Sequence, residues 1–336
     1  MGVAQLVERQ FPKLKVRRIV PVHPLDMEIK LLTYNVDGLP ETLDLNDLPW
    51  ILKPIAWIYK LFKGTTVIKI NDNVNKKDDI GHISQYLASS DADIIAVQED
   101  FNYHDELMSR LNDNYACGTY LGGFDLSKLF SNTEWLTYFP LPRFKCDGIN
   151  VIAKQSSAKL VIESIKMWKK CYGYFTHAND ALTHKGFRHY LVNLNGKLVL
   201  DVYALHMDAD FYNTDEYPDI SGDLEARESQ LNQLVKHISD ISGDDPIIIL
   251  GDTNSYNKYE WDRINIQQNL IDAVNEIDGL TIQEAIPTNH SDCDRIFYVN
   301  NIRSKYQLEL EDCHFDINMK ASDHYPLVAR LNIVEK

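Results

Sequence analysis

Ile247-Ile248-Ile249-Leu250-Gly251-Asp252-Thr253-Asn254 joins four aliphatic residues to a glycine and then to three polar residues. The aliphatic run reads as a strand. Gly251 lets the backbone turn tightly where the strand ends. Asp252 and Asn254, two residues apart, project from the same side, where the carboxylate can contact a water or a metal and the amide can donate to a phosphate oxygen. Taken alone, Asp-x-Asn is more often an Asx turn at the start of a loop.

The same construction recurs along the chain. Leu31-Leu32-Thr33-Tyr34-Asn35-Val36 ends an apolar strand in an amide, and Ile94-Ile95-Ala96-Val97-Gln98-Glu99 ends one in a carboxylate, the hard oxygen ligand that Mg²⁺ prefers. Tyr203-Ala204-Leu205-His206-Met207-Asp208 ends in a histidine. Ala321-Ser322-Asp323-His324-Tyr325-Pro326 sets a second histidine before a last strand, and Asp294-Arg295-Ile296-Phe297 offers an acid to orient it. Each motif alone has a plain reading as a turn former or a solvated strand end. Two histidines, at least four carboxylates and two amides at strand ends are hard to explain as independent turns.

Between these motifs, strands are expected over 29–35, 93–98, 148–153, 187–192, 198–205, 247–251, 295–299 and 327–333, with helices over 79–89 and 223–239. There is no solenoid repeat and no low-complexity linker, so residues 27–336 read as one continuous α/β domain. The start Gly2-Val3-Ala4-Gln5-Leu6-Val7-Glu8-Arg9 resembles the peptide obtained when a tRNA gene is translated, and Met27 stands just before the first strand. Residues 1–26 are therefore expected to be a dispensable extension. They carry charges and no apolar core of a signal peptide, which points to the cytoplasm.

Composition narrows the function. With 44% hydrophobic and 25% charged residues, the 336-residue chain can build a large core, which excludes disorder as an overall description. The net charge of −15 and the lack of a Lys/Arg cluster count against a nucleic-acid partner. Five scattered cysteines without a CxxC pair imply neither a zinc site nor a disulfide framework. No apolar run reaches the length of a spanning helix. Two aromatic stretches, 48–63 and 135–144, suit either core packing or peripheral contact with a lipid surface. Core packing is the expected role, since Pro54 interrupts the first as a helix.

In order, Tyr-Asn, Gln-Glu, Leu-His, Gly-Asp-Thr-Asn, Asp-Arg-Ile and Ser-Asp-His resemble the signature of the endonuclease/exonuclease/phosphatase superfamily, to which DNase I and neutral sphingomyelinases belong. The resemblance spans Asn35 to His324. It implies a four-layer α/β sandwich with two packed mixed β-sheets, the active site at one edge between them, and Mg²⁺-dependent phosphodiester hydrolysis, with Mn²⁺ as a substitute. It further implies Glu99 as principal metal ligand, Asn35 close to the metal and Asp323 as a further or water-mediated ligand. His324 would be the general base and Asp294 the group that holds its ring. Asp252 and Asn254 would position water and phosphate, and His206 would donate to the phosphoryl oxygens. Whether His324 or Asp252 takes the proton stays open.

Asp180-Ala181-Leu182-Thr183-His184-Lys185-Gly186 is similar to the Asp-x-x-x-x-Lys-Gly segment of neutral sphingomyelinases, where pairing of the Asp and Lys helps set the active arrangement. Asn150 in Asp147-Gly148-Ile149-Asn150, with Arg227 and Gln230, resembles the same branch and implies a substrate-binding role for Asn150, Asp180 and Lys185. The chain departs from the branch at Met207-Asp208-Ala209, where Thr-Gln is usual after the histidine, and in Gly-Asp-Thr-Asn for Gly-Asp-Leu/Phe-Asn. A lipid headgroup is the expected substrate. A nuclease, an inositol-phosphate phosphatase and a non-catalytic binding module are the alternatives.

Overall fold

Strand β1 (Met27–Asn35) shows how the layers arise. Ile29 and Leu31 pack into one cluster, while Leu32 and Tyr34, on the opposite face, pack into another. Alternate side chains point to opposite faces, so a strand apolar on both must be covered on both. The computed structural model describes residues 27–48, 50, 53–70, 75–111, 113–125, 144, 146–173, 177–209, 221–255 and 265–336.

Two six-stranded mixed sheets follow from this patterning. The first runs in the order β13 (Tyr306–Phe315), β14 (Leu327–Glu335), β1, β4 (Ile94–Gln98), β6 (Asn150–Lys154), β5 (Tyr115–Cys117). The second runs β11 (Leu280–Glu284), β12 (Asp294–Asn301), β10 (Ile247–Asp252), β9 (Leu198–His206), β8 (Gly186–Leu194), β7 (Ala158–Met167). A short pair, β2 (Thr42–Asp44) with β3 (Val67–Lys69), stands apart. The inner faces of the two large sheets share one core that includes Leu31, Ala96, Val202, Ile248 and Leu250. Helices α2 (Lys76–Ser90) and α3 (His104–Met108) cover the outer face of the first sheet. Helices α4 (Ser221–Ile241) and α5 (Ile266–Asn275) cover that of the second. The architecture is a four-layer α/β sandwich.

Each sheet holds one parallel pair, β1 with β4 and β9 with β10, joined by a crossover containing α2 or α4. These four strands carry Asn35, Glu99, His206 and Asp252 to their C-terminal ends. Strand β12, antiparallel to β10, begins at Asp294 directly opposite Asp252. The turn before β14 supplies Asp323 and His324 to the same edge.

The predicted elements are all present, most of them extended by a few residues at their ends, while β4 begins one residue and β6 two residues later than expected. Strands β5, β7, β11 and β13 and helices α3 and α5 go beyond them. One expectation is overturned: the aromatic stretch 48–63 is not packed inside. It forms helix α1 (Lys53–Lys63), with Trp50, Ile55, Trp57, Ile58, Leu61 and Phe62 exposed and only Ala56 of the helix buried. Pro54 sits in the first turn, where a missing N–H costs nothing, so it starts the helix rather than breaking it. Of 135–144, residues 135–143 lie outside the described residues, as do 1–26; Phe144 is buried. Among the described residues, no helix is long and apolar enough to cross a membrane.

Candidate active site

Asn35 ties the two sheets together at their common edge. Its Nδ2 donates to Glu99 Oε1 at 3.0 Å, from the first sheet, and to Asp252 Oδ2 at 3.1 Å, from the second. Its own Oδ1 accepts from the Asp37 backbone N–H. Asn35 therefore braces both carboxylates. Glu99 takes a left-handed conformation, φ 59°, which costs a non-glycine residue roughly 1 kcal/mol and needs local support. Its carbonyl oxygen accepts from the Gly38 and Phe101 N–H groups, and a side chain at Gly38 would run into that carbonyl. Asn254, φ 50°, is held similarly: its N–H donates to Asp252 Oδ1 at 2.7 Å and its Nδ2 to the Met207 carbonyl at 2.9 Å.

Both histidines turn Nε2 towards the same oxygen of Asp252. His206 Nε2 lies 3.5 Å from Asp252 Oδ2 and 4.0 Å from Glu99 Oε1. His324 Nε2 lies 3.9 Å from Asp252 Oδ2, while its Nδ1 meets Asp294 Oδ2 at 2.7 Å. Burial and the Lys185 cation hold His206 neutral, its pKa well below that of an ordinary histidine. Its Nδ1 is buried without a partner, so the single ring proton belongs on Nε2, facing the two carboxylates. His324 is the opposite case. Burial opposes its charge, but the adjacent Asp294 carboxylate more than offsets this and raises His324 well above the ordinary value.

The carboxylates divide in the same way. Burial pushes Glu99 up to about 7 and Asp294 up to about 6. Burial would also raise Asp252, but the imidazoles of His324 and His206, the Asn254 N–H and the Asn35 amide together hold it well below the usual carboxylate range. Asp323 is exposed at the rim, its Oδ1 accepting from Ser322, whose hydroxyl also donates to the Asn35 carbonyl.

Asp180 and Lys185 form an ion pair, both nearly buried. Burial works against the Lys185 charge, but Asp180, Glu99 and Asp208 outweigh it and raise its pKa. Asp180 also accepts from the Ala209 N–H at 2.7 Å, so the pair anchors the segment that follows His206. Asn150 is buried. Its Nδ2 donates to Asp100 Oδ2 at 2.6 Å and its Oδ1 faces Arg188, whose guanidinium is paired to Asp147.

Several participants were not among the expected site residues, although Arg227 was noted as a likeness to the sphingomyelinase branch and Asp208 as part of a departure from it. Asp208 is fully buried, pushed up to about 7 by burial and by Asp180, and accepts the Tyr172 N–H. Arg227 donates to the carbonyls of Asp208 and Asn254, stapling the loops after β9 and β10. Cys293 Sγ lies 3.8 Å from His324 Nδ1. Ligand-type atoms of Asp292, Cys293, Asp294 and His324 fall within 4.8 Å of one another. Within this group His324 Nδ1 is taken up by the short contact to Asp294, whereas Glu99 and Asp323 offer oxygen alone, the donor type of a hard divalent cation.

Neither a protein-family model nor a curated protein sequence matches the chain. Solved structures do. A beta toxin of Staphylococcus aureus with bound magnesium ions is similar at TM-score 0.56 and 16% identity, over 92% of this chain and 100% of that one. Sphingomyelinase C from Streptomyces griseocarneus is similar at 0.55 and 14%, over 90% and 99%. D. rerio TDP2 complexed with a single-strand DNA product is similar at 0.54 and 14%, over 91% and 100%. Over nearly its whole length the chain has the DNase I-like fold of endonuclease/exonuclease/phosphatase proteins.

Proposed function

We propose that the protein is a metal-dependent phosphodiester hydrolase of the endonuclease/exonuclease/phosphatase superfamily, and that its substrate is a phospholipid headgroup ester. The observation that carries the hydrolase reading is the convergence on Asp252 of Asn35, His206 and the Asp294–His324 pair, brought from both sheets with complementary protonation. A neutral donor, an anionic acceptor and a histidine with its orienting acid are what hydrolysis by an activated water needs.

The site fits a divalent cation. Glu99 is a half-buried carboxylate, its side chain 20% exposed, whose charge is disfavoured without one, and Asp323 stands near enough to raise its pKa further. Glu99 and Asp323 would hold Mg²⁺, or Mn²⁺ in its place, with Asn35 fixing the Glu99 side chain. When bound, the cation supplies charge neutralisation at the phosphorus oxygens.

The chain's own residues divide the remaining work. Asp252 accepts a hydrogen bond from the attacking water and aims it at phosphorus. His324 Nε2 takes the water proton as the oxygen–phosphorus bond forms and the ester oxygen departs. Asp294, bound at Nδ1, stabilises the resulting imidazolium. His206 Nε2–H and the second amide hydrogen of Asn254 stabilise the phosphoryl oxygens. The lipid headgroup is supported by the Asp180–Lys185 pair, the net charge of −15, and the likeness to sphingomyelinase C. The likeness to TDP2, solved with a DNA product, supports a nuclease as the second reading.

The test assays the purified protein with Mg²⁺ and with EDTA against sphingomyelin, a generic phosphodiester, inositol phosphates and plasmid DNA. The expected result is EDTA-sensitive release of phosphocholine from sphingomyelin, faster than turnover of the other substrates. Faster cleavage of DNA overturns the lipid assignment, and no EDTA-sensitive hydrolysis of anything overturns the enzyme.

A further inference from the structure

Helix α1 leaves a broad apolar surface without cover. Trp57 is 64% exposed and Phe62 84%, with Ile55, Ile58 and Leu61 between them and Trp50, 82% exposed, just before the helix. At 3.6 residues per turn the exposed apolar residues of α1 share one stripe about 160° wide. An indole, a phenyl ring and three aliphatic side chains on one helix face, with a second exposed indole just before the helix, form more than the scattered apolar residues normal on a soluble protein.

Charge identifies what covers it. The helix Lys53-Pro54-Ile55-Ala56-Trp57-Ile58-Tyr59-Lys60-Leu61-Phe62-Lys63 carries three lysines and no acidic residue, in a chain of net charge −15. Lys60 and Lys63 are exposed, roughly 60° and 80° around the helix from the nearest edges of the stripe. An exposed aromatic face on a helix whose only charges are lysines matches an anionic lipid surface, in which such a helix lies in the plane of the headgroups.

The position is informative too. Ala56 and Tyr59 pack with Leu45, Leu48 and Phe101, and Phe101 is two residues past Glu99. The Gly38 N–H, at the start of the segment that leads to α1, donates to the Glu99 carbonyl at 3.0 Å. The exposed helix is thus braced against the backbone that carries the proposed metal ligand.

We infer that α1 is an interfacial helix that docks the protein on anionic phospholipid surfaces through Trp50, Ile55, Trp57, Ile58, Leu61 and Phe62, with Lys60 and Lys63 meeting the headgroups. Its purpose rests on the lipid-hydrolase reading, but binding is measured apart from catalysis. The full-length chain is floated with vesicles of phosphatidylcholine alone and of phosphatidylcholine with phosphatidylserine, beside Trp57→Ser/Phe62→Ser and Lys60→Gln/Lys63→Gln variants. Turnover of a water-soluble phosphodiester and sedimentation velocity are measured in parallel. The wild type is expected to float with the anionic vesicles. The aromatic variant should lose that binding, and the lysine variant should lose roughly fivefold per lysine. Both should keep the soluble turnover of the wild type. Equal flotation of the aromatic variant, or no flotation of the wild type, overturns the inference. So does a wild-type dimer that the aromatic variant converts to monomer, since a second copy then covers the face. Vesicle binding without any hydrolysis retains the inference and sinks the catalytic reading, while hydrolysis without vesicle binding does the reverse.

Discussion

With Asp294 on Nδ1, His324 has only Nε2 left to face Asp252 and, in the proposed mechanism, the attacking water. The raised pKa of His324 then has a kinetic sign. A general base works in its neutral form, which is scarce below a raised pKa, so kcat/KM should climb with pH from neutrality into the alkaline range. In Asp294→Asn the anion that raises the pKa is gone, and the ascending limb should move to lower pH with a lower plateau. An unmoved limb would assign the proton to another group. His324→Ala should keep the fold, as judged by circular dichroism, and lose about 10² to 10⁴ in turnover. At this scale the strand-end residues were legible because each closes an apolar run. Lys185 reaching towards Glu99, Asp208 under the Asp180 pair and Arg227 on two loop carbonyls were not legible as a group. Their contacts are made across the fold and leave no local pattern.

At the scale of elements, β4 and β10 stood out because both their faces are buried and their sequences are largely aliphatic. Strand β13 reads Tyr-Gln-Leu-Glu-Leu-Glu-Asp-Cys-His-Phe, interrupted by charges because it is an edge strand, and its register shifts between Leu310 and Asp312. Helix α1 misled in the other direction, since aromatic content signals burial only when a surface exists to bury it against. The β9–β10 pair carries its own constraint at Gly251, φ 144°, where an added Cβ would run into the Leu205 carbonyl on the neighbouring strand. Gly251→Ala should push β9 from β10 just where His206 and Asp252 sit paired. Turnover should fall by more than tenfold even where thermal unfolding shows most molecules folded. Unchanged turnover with lowered stability would show that the strand ends tolerate the shift.

For the whole molecule, the order in which the chain builds its sheets matters. The second sheet is contiguous, from β7 to β12, whereas the first is begun by β1 and completed only by β13 and β14. Strand β14 inserts between β13 and β1, pairing Met27 with Ile333 and Thr33 with Leu327. Contacts of such sequence separation are the slowest to form. A chain ended after Lys320 should therefore show no single cooperative thermal transition and no native near-ultraviolet circular dichroism; a cooperative transition would mean that the first sheet closes without β14. During synthesis β1 leaves the ribosome with one side unpaired and waits for the last of the described strands. Since the turn before that strand supplies Asp323 and His324, a nascent chain holds no working site while its partners are still being made. On the proposed function, hydrolysis begins only with completion of the sheet itself, and no inhibitor is needed to hold the unfinished chain inactive.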